Sequence, residues 1–199
     1  MSINRVIINS SPLIVLLKSQ QAKLIPQLFT EVLVTLGVFE EVTTKDDVAS
    51  TQLPSISWTQ IVEVNTIAPV VAAWDLGKGE SQVLSLALKT SDCAAIVDDR
   101  AARRCGQALG ITTIGTGGLL ILAKRRGLIP SISPGIQALR DAGLWLSNSL
   151  VDLLKQQGNN DRTLSQNHTK WMPHNSCSSN FSSDRLYTPN SQVNKLFHI

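Results

Sequence analysis

Val6-Ile7-Ile8-Asn9-Ser10-Ser11-Pro12-Leu13-Ile14 is the stretch that decides how the chain is read. Three β-branched residues in a row are too short a run for a helix and suit a strand buried on both faces. The polar residues that follow break the run. Ser10 or Ser11 suits the cap of a helix, and Pro12 fits the first helical turn. Leu13, Ile14, Leu16 and Leu17 then supply an apolar helix face. A buried strand handing over directly to a helix is the building unit of a parallel sheet.

The same alternation continues outward. Residues 22–29 read as helical, Glu31-Val32-Leu33-Val34 as a strand, and 38–42 as a short helix carrying Glu40 and Glu41. Residues 46–57 are polar and turn-rich and read as a loop, and Ile61-Val62-Glu63-Val64 alternates as a strand does. From Gly79 the period becomes helical, with Val83, Leu84, Leu86, Ala87 and Leu88 forming a stripe. Ala94-Ala95-Ile96-Val97 is another strand-length run, leading straight into Asp98-Asp99. A helix over 100–109 ends at Gly110, Thr112-Thr113-Ile114 gives a further strand, and a helix over 118–126 stops at Gly127. Helices over 134–142 and 147–156 complete the pattern, which predicts an α/β fold with a mainly parallel sheet covered on both faces.

Composition narrows the chemistry. The chain has 199 residues and a net charge of +3. Residues 1–157 carry 14 basic and 13 acidic side chains and form the expected domain; residues 158–199 carry 4 and 2, are rich in Ser and Asn, and read as a disordered tail. His168, His174 and His198 all fall in the tail. The domain therefore has no histidine for Ser-His-Asp or Cys-His catalysis or for His-ligated zinc. Cys93, Cys105 and Cys177 are odd in number and lack CxxC spacing, which fits a reducing cytoplasm. No apolar run has the length of a membrane span and no signal peptide is apparent, so a cytoplasmic protein without a membrane partner is expected.

In a parallel sheet, ligands bind at the carboxyl ends of the strands. Asn9, Asp98 with Asp99, and Gly115-Thr116-Gly117 each follow a strand run, and Glu41 and Glu80 are helical acids able to join them. Carboxylates gathered without histidine suit a hard cation, Mg²⁺ or Mn²⁺. Plainer roles compete. Asp98, Asp99 and Glu80 suit helix starts, Glu41 a solvated face, and Ser10 a cap as readily as a hydroxyl near phosphate. Thr116 sits either in a phosphate-binding turn or in an ordinary one. Arg100, Arg103 and Arg104, and the Lys124-Arg125-Arg126 run, suit either phosphates or a solvated helix face. Trp58, Trp74 and Trp145 read as core or interface residues. The chain lacks GxxxxGK[ST] and a strand-linked GxGxxG, which counts against a nucleotide-binding protein.

Four segments in order, residues 6–14, Gly79-Glu80-Ser81-Gln82, Ile96-Val97-Asp98-Asp99-Arg100-Ala101-Ala102-Arg103-Arg104, and Ile114-Gly115-Thr116-Gly117-Gly118-Leu119-Leu120, resemble the PIN-domain family over about residues 3–157. The likeness is to a prokaryotic branch with an NTSPLI start and an IDDRxARR…GT core. It implies a three-layer α/β/α sandwich and an Mg²⁺- or Mn²⁺-dependent endoribonuclease. It further implies an RNA substrate, often the toxin role of a toxin–antitoxin pair with an antitoxin partner, and often a homodimer. Residue by residue, the family's acids fall on Asn9, on Glu41 (with Glu40 as the register alternative), on Glu80 and on Asp99, with Asp98 beside it. The resemblance makes Asn9, Glu41, Glu80 and Asp99 the catalytic set and Asn9, Glu80, Asp98 and Asp99 the metal ligands. Ser10, Arg100, Arg103, Arg104, Thr116 and Lys124 are the expected nucleic-acid contacts. Asn9 departs from the usual Asp, bringing an amide oxygen but no charge. The alternative is a catalytically weakened module of the same fold that binds nucleic acid or protein.

Overall fold

The computed structural model describes residues 3–159, so the tail from residue 160, with its expected disorder and its histidines, lies outside the described residues. The described strands are β1 (Arg5–Ile8), β2 (Glu31–Thr35), β3 (Thr59–Val62), β4 (Cys93–Ile96) and β5 (Thr112–Ile114). They form one sheet in the order β3-β2-β1-β4-β5, every neighbouring pair parallel. The helices are α1 (Ser10–Lys18), α2 (Ile25–Leu28), α3 (Leu36–Thr43), α4 (Val48–Gln52), α5 (Pro69–Ala72), α6 (Lys78–Lys89), α7 (Arg100–Ala108), α8 (Thr116–Arg125), α9 (Ser133–Asp141) and α10 (Asn148–Asn159).

The chain steps from β1 to β2 to β3 one way and from β3 to β4 to β5 the other. Right-handed crossovers therefore place the two sets of helices on opposite faces. α6 lies along β1, β2 and β4 beside α7, while α1 packs with α3 and α4, and α8 with α2, α9 and α10. The result is an α/β/α sandwich. Val6, Ile7 and Ile8 of β1 and Ala94, Ala95 and Ile96 of β4 are fully buried, as central strands covered on both faces must be.

Several local expectations give way. Residues 46–57 are not a loop: they form α4 and a 3-10 turn at Leu53–Ser55. Asp47 caps α4 by accepting from the N–H groups of Ala49 (2.9 Å) and Ser50 (3.1 Å), and Ser50 Oγ accepts from Asp47 N. Ala49 and Leu53 are buried, and two inward residues suffice to hold so short a helix. The cap of α1 is Asn9, not Ser10 or Ser11. The third strand lies two residues earlier than the alternation suggested, and α8 begins at Thr116 rather than Gly118. Residues 22–29 divide into a 3-10 turn (Ala22–Leu24) and α2, and α5 was not anticipated. Trp58 and Trp74 pack against the core, but Trp145 is 84% exposed. None of the described helices is long and apolar enough to cross a membrane.

Candidate functional site

The order of the strands reverses at β1 and β4. The crevice beyond their carboxyl ends is the topological switch point where an open α/β sheet receives ligands. Asn9 follows β1 and Asp98-Asp99 follows β4, and Asn9 N–H donates to the Ile96 carbonyl (3.0 Å), which locks the two strand ends together. α3 and α6 pack against each other and carry Glu41 and Glu80.

Gly79 shows how closely these groups meet. A Cβ on Gly79 would stand 3.1 Å from Asn9 Oδ1 and 3.4 Å from Glu41 Oε2, so amide and carboxylate face one small space that the missing side chain leaves open. Asn9 is buried, and its Oδ1 has no hydrogen-bond partner among the described residues. An unsatisfied buried acceptor costs about 1–3 kcal/mol, so it is kept only where something offsets that cost. Glu41 pairs loosely with Lys45 at 4.0 Å, whereas Glu40 points to Lys78 at 3.6 Å on the surface. Of the two registers, Glu41 is the one that faces Asn9.

Glu80 is half-buried in the first turn of α6, where its Oε2 accepts from Gly77 N–H (3.3 Å). Burial raises its carboxyl above its ordinary range. The Asp99 carboxylate and, less strongly, Glu41 push the same way, against the Gly77 bond. Glu80 thus feels the charge of both Asp99 and Glu41, as it would not if they were far apart. Asp99 caps α7, its Oδ1 accepting from Ala102 N–H (2.9 Å).

Asp98 turns elsewhere. It accepts from Thr116 N–H (2.7 Å) and from the Thr116 hydroxyl (2.5 Å), and Arg103 lies near enough to act on its charge. Burial pushes the Asp98 carboxyl up, and the two Thr116 bonds and Arg103 oppose it. In this arrangement Asp98, expected as a metal ligand, ties the end of β4 to the start of α8. Thr116 is fully buried and its N–H and hydroxyl are both engaged by Asp98, the arrangement of the ordinary turn rather than of an open phosphate cradle.

The remaining expected contacts divide. Ser10 is buried in the first turn of α1, next to Asn9. Arg100 and Arg104 are exposed on α7, which starts directly after Asp99, while Arg103 is half-buried near Asp98. Lys124 is in the last turn of α8, about 12 Å along the helix from Thr116 and so at the amino edge of the sheet. The Arg126 guanidinium there donates to the Leu28 carbonyl. Lys124 is therefore not beside the acids. The role of Gly79 was not foreseen, although a glycine in the first turn of a helix, where it is unfavourable, was the available signal.

Among the described residues no three His, Cys, Asp or Glu side chains stand close enough, as oriented, to hold a metal ion. Two features bear on this. Asn9 is an amide and lies outside that donor set. Glu80 and Asp99 each give one carboxylate oxygen to a backbone N–H group, which leaves the other oxygen of each for a cation. In kind the donors fit a hard divalent cation: an orphaned amide oxygen and carboxylates, without thiol or imidazole.

A search of curated proteins found no match to the chain. The profile of the PIN domain matches residues 5–160. That match spans every strand and helix described above up to the end of α10, and with the parallel sheet and its crevice it shows that the chain belongs to the PIN-domain family, a nuclease-like fold.

Proposed function

We propose that the protein is a metal-dependent endoribonuclease whose centre is formed by Asn9, Glu41, Glu80 and Asp99, with Mg²⁺ or Mn²⁺ as cofactor. The observation that carries the reading is the buried, unpartnered Asn9 Oδ1 facing Glu41 across the space left by Gly79. Membership of the PIN family supports it, since PIN domains generally use divalent metal ions. Asn9, Glu80 and Asp99 would hold the cation, with Glu41 beside them. When bound, it would stabilise charge on a phosphoryl oxygen and lower the pKa of water. Burial and the Asp99 charge raise the Glu80 carboxyl, so it holds a proton more readily than an ordinary glutamate until a cation offsets that repulsion. Arg100 and Arg104, exposed on the helix that Asp99 caps, would hold the strand through its phosphates.

The same reading makes RNA the substrate. It extends to a cytoplasmic toxin restrained by an antitoxin protein and to a homodimer. The test is cleavage of single-stranded RNA with Mg²⁺ or Mn²⁺ against a chelator control, in the parent protein and in Asp99→Asn. Asn caps a helix about as well as Asp, so that variant removes charge and keeps the fold. Loss of cleavage is expected, and unchanged cleavage refutes the assignment.

One observation favours a second reading, a catalytically weakened module that binds nucleic acid or protein. The first ligand position holds a neutral amide, and the amide lowers the charge available to a cation. Asn9→Asp separates the two: a large gain in cleavage marks a weakened enzyme, and no gain a binding module.

A further inference from the structure

Trp145 is the most exposed large hydrophobic residue described, at 84%. It is held out rather than left loose. Gly143, at φ +99°, closes α9, and Leu144 N–H donates to the Leu139 carbonyl (2.9 Å). In the segment that follows, Leu144 is half-buried and Leu146 buried, so Trp145 stands outward between two anchored leucines. An indole fixed in water by its neighbours calls for a ligand more than a scattered aliphatic side chain does.

Its surroundings indicate which ligand. Trp145 borders two adjoining clefts. One is lined by Asp98, Arg103 and Gly117 together with Leu150 and Leu154 of α10; the other is lined by Arg140. A flat aromatic surface between two guanidinium groups matches a polymer of planar bases joined by anionic links. The first cleft lies one residue along the chain from the crevice described above, since Asp98 lines it and Asp99 follows at the start of α7.

We propose that Trp145 is a stacking platform for an unpaired base of single-stranded RNA, with Arg103 and Arg140 holding the flanking phosphates, so that the strand crosses the acidic crevice a short distance away. The proposal rests on the ribonuclease reading and names the form of its substrate: unpaired, with at least one base splayed out. A duplex keeps its bases stacked inside and gains nothing from the indole.

The test is fluorescence anisotropy of a labelled ten-nucleotide single-stranded RNA, in chelator, with the parent protein, Trp145→Ala and Trp145→Phe. The side chain is exposed, so neither variant endangers the fold. Trp145→Ala is expected to weaken binding by about five-fold or more, and Trp145→Phe to keep most of the affinity. An abasic strand of equal length should bind the parent and Trp145→Ala alike. Affinity of Trp145→Ala within two-fold of the parent overturns the platform, as does an equal loss on the abasic strand or on a duplex. Because no cation is present, those results leave cation-dependent cleavage standing. A parent protein that binds no RNA overturns both the platform and RNA as substrate.

Discussion

Replacing Asn9 by Asp tests the electrostatics of the crevice directly. The side chain keeps its shape, stays buried, and places a carboxylate where Oδ1 now faces Glu41 Oε2 across the Gly79 position. The two oxygens lie 3.1 and 3.4 Å from the Gly79 Cβ position, hence no more than about 6.5 Å apart, and at an effective dielectric of about 20 two unit charges there repel by at least about 2.5 kcal/mol. Glu41 is exposed, and solvent screening brings that to about 1 kcal/mol; burial of the new charge, with Glu80 and Asp99 nearby, adds about as much again. A net loss of about 1–3 kcal/mol lowers the melting temperature by about 3–10 °C in a chain of this size. The assay is thermal unfolding in chelator at pH 7.5, repeated at pH 4 and with Mn²⁺. The introduced carboxyl has a raised folded pKa, so its penalty is absent below the unfolded value and complete above the folded one. The deficit should therefore shrink at pH 4. Mn²⁺ at about 100 times its dissociation constant should restore about 2.7 kcal/mol. A variant that melts with the parent in chelator, and gains no more than the parent from Mn²⁺, refutes the idea of a shared anionic crevice.

Three further outcomes follow from the same geometry. Glu80 has a raised folded pKa, so its contribution to stability is intact below its ordinary value of 4.5 and is lost as the pH rises through the folded one. Glu80→Gln, which keeps an acceptor for Gly77 N–H, should melt higher than the parent at pH 7 and together with it near pH 4; a lower melting point at pH 7 contradicts the assigned repulsion. In a double-mutant cycle of Asp98→Ala with Thr116→Val, chemical denaturation should give a coupling of about 1–3 kcal/mol, and additive losses would show that the bond between them holds nothing in place. Gly79→Ala should leave stability within about 1 kcal/mol, helix propensity offsetting the close contacts, yet weaken Mn²⁺ binding at least about ten-fold in a calorimetric titration. Undiminished Mn²⁺ binding would place the cation elsewhere.

The amino-acid sequence by itself determined the architecture. Uninterrupted β-branched and alanine runs at Val6-Ile7-Ile8 and Ala94-Ala95-Ile96 belong only to strands covered on both faces, and the polar residues after them were bound to lie at the carboxyl edge. Local periodicity also separated the helices from the strands almost throughout. It failed at residues 46–57, where capping by Asp47 and two buried side chains outweighed a polar composition. What tertiary structure alone decided is direction. Asp98 and Asp99 are chemically identical neighbours, and the rotation of the backbone between β4 and α7 sends one to Thr116 and the other toward Glu80. Packing of α3 on α6 likewise chose Glu41 over Glu40, made the missing side chain of Gly79 matter, and moved Lys124 to the far edge of the sheet. Composition and period report how often a residue type recurs along one segment. Where a side chain points at the end of that segment depends on how distant segments pack, and only the folded chain supplies that.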